Sequence, residues 1–126
     1  MKRCWFGFGL LLILLLGGIL TTRTMVSAYT RISASLDAAG DAALEENWEA
    51  AGGAFQKARG EWEKRWHVSA VFADHEPMEE IDGLFAQGEM YLRSREPEAL
   101  AAVCAQLARQ AQAMGEAQTC SWWNLL

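Results

Sequence analysis

The sequence predicts an all-α protein, in which an N-terminal transmembrane helix is followed by a small antiparallel bundle of three to four helices. Three observations predict this fold class. The chain has only two prolines and no Asn-Gly turn, it is rich in the good helix formers Ala, Leu, Glu and Gln, and its apolar residues recur at intervals of three and four. Hydrophobic residues make up 52% of the chain, which is enough for a globular core and argues against disorder.

The first predicted element is a membrane anchor in residues 1–23. Lys2 and Arg3 are followed by seventeen uncharged and mostly aliphatic residues, Cys4 to Leu20. A spanning helix needs about 20 residues, with about 17 as the lower limit, so this segment is long enough. Basic residues before a span favour a cytoplasmic N-terminus, and we therefore expect the rest of the chain to be extracytoplasmic.

A cleaved signal peptide is the alternative interpretation of the same segment. Val26, Ser27 and Ala28 are small or aliphatic residues of the kind found before a signal peptidase site, so cleavage after Ala28 would release a secreted helical protein. The apolar run is longer than the usual core of a signal peptide, about 7 to 15 residues, which favours an anchor. Both interpretations export the domain.

Residues 24–40 are predicted to be a helical stalk or linker. Their apolar pattern is weak, and Gly40 followed by Asp41 indicates a helix break with Asp41 as the N-cap of the next helix. The extracytoplasmic helical domain is accordingly predicted to span residues 41–126. The weak pattern in the linker consists of Val26, Tyr29, Ile32 and Leu36.

The best-defined helix carries an aromatic stripe. Its apolar residues fall within an arc of about 80° on a helical wheel, and charged residues occupy the other side, as expected for a surface helix packed on a core. We expect a bend or an end near Ala73. The stripe consists of Trp48, Ala51, Phe55, Ala58, Trp62 and Trp66.

Two further helices are predicted to begin at Pro77 and Pro97, because proline suits the first turn of a helix. Only Arg93 to Glu96 separates them, and so short a connection makes an antiparallel helical hairpin. Their apolar faces are Ile81, Leu84, Phe85, Gly88 and Leu92 in the first, and Leu100, Val103, Cys104, Leu107, Ala111 and Met114 in the second.

The C-terminal part raises two structural questions. On an unbroken helix Cys104 and Cys120 would be about 24 Å apart, so a disulfide between them would require the helix to end near Gly115. Two buried free thiols are the favoured interpretation. The apolar end, Cys120 to Leu126, is predicted to fold back onto the helix pair, and an exposed aromatic patch for a partner or the membrane interface is the alternative.

Both histidines lie near the predicted corner between the aromatic helix and the next one. His75, Glu79 and Asp82 have the i, i+4, i+7 spacing that could bind a divalent ion or act as acid and base. Pro77, however, would leave His75 at the helix cap, where it is expected to hold backbone groups. His67 lies one turn after Glu63, where an ion pair is the simplest explanation. We therefore expect no catalytic, cofactor or metal site.

The charge distribution argues against nucleic acid as a partner. Four of the eleven basic residues lie in the first 31 positions. The other seven basic residues and all sixteen acidic residues lie after position 31. The downstream domain is therefore strongly acidic, and it should repel a phosphate backbone.

Several short motifs resemble those of a known family. These are Trp62 with Trp66, Phe72 three residues before His75, Glu80-Ile81 with Leu84, Tyr91-Leu92, and the closing Asn124-Leu125-Leu126. They are similar to a family of small membrane-anchored proteins of Gram-positive, often spore-forming, bacteria that is known as a domain of unknown function. The resemblance points to His75 and Asn124 as its recurrent residues and implies no enzymatic activity, cofactor or ligand.

Together these features predict a single-pass membrane protein whose extracytoplasmic helical domain is an interaction or scaffold module of the cell envelope. A protein partner is expected, and catalysis is not. The alternatives are a small metal-dependent or regulatory enzyme that uses His75, Glu79 and Asp82, and the secreted protein released after Ala28.

Overall fold

A computed structural model of the protein describes residues 2–69 and 75–125; the side chains at 22, 25, 68–69, 75, 77 and 118–125 lie outside that description. The described residues form four helices and no strand, which confirms the all-α class. The helices are α1 (Lys2–Leu44), α2 (Trp48–Ser69), α3 (His75–Ser94) and α4 (Pro97–Leu125).

Helix α1 continues through the position where a break was predicted. The prediction at Gly40 and Asp41 is wrong, because α1 ends only at Leu44. Gly40 instead lies inside α1 and faces α4, where a methyl group would lie at an ordinary contact distance of 3.5 Å from Cβ of Cys104. Glycine at this position therefore does not end the helix.

The turn between α1 and α2 is a Schellman motif. The amide of Glu46 donates to the carbonyl of Ala43 (3.0 Å), and the amide of Asn47 donates to the carbonyl of Ala42 (2.9 Å). Glu46 has a φ of 58°, a left-handed conformation that usually favours glycine. Asn47 then caps α2, because its Oδ1 accepts a hydrogen bond from the amide of Ala50 at 3.3 Å. The N-cap of this helix is therefore Asn47 and not Asp41.

The turn between α3 and α4 repeats this geometry. Arg95 has a φ of 53°, and the amide of Glu96 donates to the carbonyl of Tyr91 at 3.1 Å. Pro97 is the first residue of α4, as predicted. Each of these turns reverses the chain within three residues or fewer, because the left-handed residue satisfies carbonyls that the ending helix leaves open.

The core is formed by one face of every helix. Helix α1 packs against α2 and α4, and α3 packs against the same two helices; within the described residues α1 and α3 make no backbone contact with each other. The stripes predicted for α2, α3 and α4 are buried or partly buried in one cluster, which confirms them. The cluster includes Tyr29, Ile32, Leu36, Phe55, Trp62, Phe85, Leu100 and Leu107.

The predicted linker contributes directly to this core. Tyr29, Ile32 and Leu36 are almost fully buried, although they lie within residues 24–40. The weak pattern seen in the sequence was therefore a packed helix face. The division of the chain into anchor, linker and domain stays a prediction, but the buried cluster extends across residue 40.

Successive residues of α1 contact successive positions along α4. Tyr29 lies against Gly115, and Gln112 donates a hydrogen bond from Nε2 to Oγ of buried Ser33 at 3.1 Å. Gly40, further along α1, lies against Ala101. The neighbours on α4 thus move towards its N-terminus as α1 advances.

Helices α2 and α3 share a smaller interface than the other pairs. The two helices approach closely at Gly88, where an added Cβ would lie 2.8 Å from two ring carbons of Phe55 and 3.3 Å from Val103. Phe55 also packs edge-on against Phe85, with ring centroids 5.7 Å apart. Only glycine allows the two helices to approach this closely around the Phe55 ring.

Candidate functional site

The residues predicted for a metal or acid/base site are only partly brought together. Helix α3 begins at His75, whose side chain lies outside the described residues, so its predicted role stays a prediction. Glu79 and Asp82 are exposed on α3. Among the described side chains, no group of three His, Cys, Asp or Glu residues is arranged to hold a metal ion.

Asp82 instead faces a groove between α2 and α3. The groove has a volume of about 250 Å³ and is lined by Trp62, Glu63, Trp66, His67 and Asp82. Glu63, His67 and Asp82 are exposed, Trp66 is partly buried, and Trp62 is buried. Two indoles at the base and two carboxylates at the rim make the groove both aromatic and acidic.

The charges beside this groove centre on Arg59. Its Nε donates to Oε1 of Glu63 at 3.2 Å, and its Nη1 makes an ion pair with Oε2 of Glu89 on α3. Burial by itself would lower the pKa of Arg59, but the hydrogen bonds that it donates to Glu89 and Glu63 raise the pKa overall. The ion pair that the structure gives Glu63 is therefore with Arg59, whereas the sequence suggested His67.

The tryptophan at the base of the groove is held firmly. Trp62 is 2% exposed and stacks on Phe85 with ring centroids 6.4 Å apart. Its indole Nε1 is buried and has no acceptor among the described residues. One turn further along α2, the guanidinium of Arg65 lies over the ring of Tyr29, with Cζ 5.7 Å from the centroid.

The lining residues limit the chemistry that the groove can perform. The described residues that line the groove are two tryptophans, two carboxylates and one histidine. Carboxylates and indole faces are groups that bind cations. The groove therefore combines two kinds of group that can contact a cation.

Comparison with known protein families gives a match over most of the chain. The family described as Domain of unknown function (DUF4363) matches residues 19–125. The chain belongs to this family. No curated protein and no solved structure matches it. The resemblance noted in the sequence to a domain of unknown function is thereby confirmed.

The DUF4363 match begins before the buried part of α1. It includes the end of the apolar run, all of the residues predicted as linker, and the three helices that follow. The structure buries Ala28 through Ala43 on one face of α1 against the other helices. The family unit and the buried core therefore share the second half of α1.

The C-terminal residues of the DUF4363 chain continue helix α4. The chain does not turn back after Met114, because α4 runs without interruption to Leu125. The predicted fold-back of this end is therefore wrong for the backbone. The side chain of Asn124, like those of the tryptophans before it, lies outside the described residues, so its role stays a prediction.

The same unbroken helix decides the disulfide question. Cys104 and Cys120 are sixteen residues apart in α4, which separates them by about 24 Å along the axis and excludes a bridge between them. Cys104 is a free and buried thiol. Burial, with a smaller contribution from the charge of Asp37, raises the pKa of this thiol to about 12.

Sequence reasoning missed the groove for a physical reason. Glu63, Trp66 and His67 lie within one turn on the edge of the aromatic stripe, which is a local signal. Asp82 joins them only because α2 and α3 pack side by side. The spacing of Asp82 within its own helix pointed to His75 and Glu79 instead.

Proposed function

We propose that this DUF4363 protein is a single-pass membrane protein whose helices form an antiparallel bundle outside the cytoplasm, and that the bundle is an interaction or scaffold module of the cell envelope. The observation that supports it is the change in environment along α1. No residue from 2 to 21 is buried, whereas residues from Ala28 onwards are buried at every turn.

The first half of α1 has the length and composition of a membrane span. Its large apolar side chains point into open surroundings, with Trp5 82% and Phe6 84% exposed. The hydroxyl of Thr21 donates to the carbonyl of Gly17 at 2.7 Å, which satisfies its polar group within the helix. The apolar segment can therefore extend to Thr21, about 27 Å at 1.5 Å per residue, close to the hydrocarbon thickness of a bilayer.

The antiparallel arrangement is supported by the order of the contacts. Ser33 contacts Gln112, and Gly40 contacts Ala101, so residue numbers rise along α1 while they fall along α4. The short turns between α1 and α2 and between α3 and α4 require the same reversal. With this topology both short turns lie at the end of the bundle that is distant from the proposed membrane.

The orientation follows from the basic residues that precede the apolar run. Lys2 and Arg3 would remain on the cytoplasmic side. Ala28 is buried and the helix continues through it, which supports retention of the span over cleavage at this residue. The acidic surface favours a protein partner and disfavours nucleic acid.

Cysteine labelling in intact cells tests the topology. The variants are Glu49→Cys, on the exposed face of α2, and Lys2→Cys as the matched control, both with Cys4 and Cys120 replaced by serine. We expect a membrane-impermeant maleimide to label Glu49→Cys in intact cells and Lys2→Cys only after lysis. The opposite pattern would reverse the orientation.

Two further measurements distinguish a retained membrane anchor from a secreted protein cleaved after Ala28. The chain should stay with the membrane after alkaline carbonate extraction, and its mass should include residues 1–28. A released protein that begins at Tyr29 would contradict the anchor and establish the secreted alternative.

The interaction role needs its own experiment. Cross-linking in cells followed by affinity purification should capture a defined partner with the whole chain. A matched control chain would keep residues 1–27 and replace the rest by an unrelated helical bundle. Capture of the same partner by this control would show that the bundle is not the interacting part.

A further inference from the structure

We propose that the groove between α2 and α3 binds a small soluble organic ammonium ion. This goes beyond the proposed scaffold role, because it assigns a specific ligand class to one surface of the bundle. The groove's volume of about 250 Å³ is just below the range of about 300–1,000 Å³ typical of drug-sized ligands. Its size therefore matches a small molecule.

The charge balance of the groove favours a cation. Glu63 and Asp82 place two carboxylates on its rim. The guanidinium of Arg59 is shared between Glu63 and Glu89, so it leaves an excess of negative charge among these groups. Arg65 is held over Tyr29 of α1 and does not line the groove. An anionic ligand would therefore be repelled.

The indoles favour an organic cation over a metal ion. Trp62 and Trp66 line the groove. Trp62 is buried and stacked on Phe85, so the partly exposed Trp66 supplies the indole face, which is the best aromatic partner for an ammonium group. Trp62 is fixed by its stacking on Phe85, so this wall is formed before any ligand arrives. A divalent metal would require several oxygen or nitrogen ligands around one point, an arrangement that the described side chains do not provide.

The distance between the groove and the proposed membrane favours a soluble ligand over a lipid headgroup. Trp62 and Trp66 lie within one turn of Arg65, which contacts Tyr29. Tyr29 follows the last apolar residue of the run, Leu20, by nine residues, or about 14 Å along the helix. The headgroup layer is only about 5–8 Å thick on each side. This step alone depends on the proposed membrane anchor.

Binding can be tested with choline and its neutral isostere, 3,3-dimethylbutan-1-ol. The full chain in maltoside micelles would be titrated with each at constant ionic strength, followed by tryptophan fluorescence and thermal melting. We expect saturable binding of choline with a dissociation constant on the order of millimolar, and at least tenfold weaker binding of the alcohol. Equal responses to both compounds, or no saturable response, would overturn the proposal.

Charge-neutral variants locate the site. The double variant Glu63→Gln/Asp82→Asn keeps the shape of the rim and should weaken choline binding by about three- to tenfold, as expected for two exposed charge contacts. Glu98→Gln, which removes an exposed carboxylate from the first turn of α4, is the matched control and should bind like the wild type. Unchanged binding by the double variant would place the ligand elsewhere.

Nanodiscs distinguish the two sources of ammonium. The titration would be repeated in discs of phosphatidylglycerol and in discs that contain phosphatidylcholine. A soluble ligand predicts the same choline affinity in both. A marked loss of choline binding in phosphatidylcholine discs would overturn the assignment to a soluble ligand, since the lipid headgroup would then occupy the groove.

Discussion

Replacement of Gly88 by alanine tests the close approach of α3 to Phe55 of α2. The added methyl group would lie 2.8 Å from two ring carbons of Phe55, whereas ordinary carbon contacts are about 3.5–4.0 Å. The Phe55 ring would therefore have to retreat by about 0.7 Å. It is fully buried and packs against Phe85, so its movement disturbs the surrounding core.

The expected magnitude is the difference between two opposing effects. Overpacking in a core costs about 1–3 kcal/mol, and alanine in place of a helical glycine contributes about 0.5–1 kcal/mol of stability. We therefore expect Gly88→Ala to lower the free energy of unfolding by about 1 kcal/mol. Gly83, in the same helix, has no atom within 4 Å of an added Cβ, so Gly83→Ala should instead stabilise the protein by about 0.5–1 kcal/mol.

Urea unfolding of the full chain in detergent micelles, followed by tryptophan fluorescence, measures both variants. The double variant Phe55→Leu/Gly88→Ala adds a rescue test, because the smaller leucine leaves room for the methyl group. Its destabilisation should be less than the sum of the two single changes by about 0.5 kcal/mol or more. If Gly88→Ala stabilises as much as Gly83→Ala, the reasoning from the close contact is refuted.

Four other residues give predictions: Trp62, Gly40, Glu46 and Cys104. Each is tested by the same urea unfolding assay, and Cys104 also by alkylation. Trp62→Ala should destabilise the protein by about 3–5 kcal/mol. Trp62→Phe should cost far less, because it also removes a buried indole N–H that has no acceptor in the described structure. Equal effects of the two changes would contradict the burial of the Trp62 side chain. Gly40→Ala should stabilise by about 0.5–1 kcal/mol, because α1 is continuous there and the methyl group would make ordinary contacts; a loss would indicate a real break. Glu46→Gly should also stabilise, by a few tenths to about 1 kcal/mol, since glycine accepts the left-handed conformation; destabilisation would argue against that conformation. With Cys4 and Cys120 replaced by serine, the Cys104 thiol should resist iodoacetamide at pH 8. Stability should fall as the pH rises from 9.0 to about 12, because the thiol ionises first in the unfolded chain. Rapid alkylation of this folded variant would show that the Cys104 thiol is accessible.

The sequence predicted the helix faces well because periodicity reports burial directly. Phe55 and Trp62 in α2, and Phe85 in α3, were all assigned to the core from their spacing, and each is buried. The start of α4 at Pro97 was also correct. These features depend on residues that are close together in the sequence, so one sequence is enough to predict them.

The turns were harder to predict because their signals were not the usual ones. Glu46 and Arg95 occupy positions where glycine is normally expected. Gly40, where the break was predicted, lies inside α1 and faces α4. A glycine followed by an acidic residue therefore suggested a helix end four residues too early. The hydrogen bonds that end α1 depend on backbone conformation, which composition does not reveal.

Helix α1 runs without a break from the proposed anchor into the bundle, although the sequence predicted a linker between them. The predicted linker had a weak pattern because its buried residues include Ala28, Ser33 and Ala39, which carry little hydrophobic signal. Small residues nevertheless allow close packing against α4, and this pair of helices has the largest interface in the structure. Since α1 has no break between its exposed apolar half and its buried half, the two halves share one axis. If the first half spans a membrane, the tilt of the bundle and the height of the groove between α2 and α3 are therefore fixed by a single continuous helix. A flexible linker would have left both undefined.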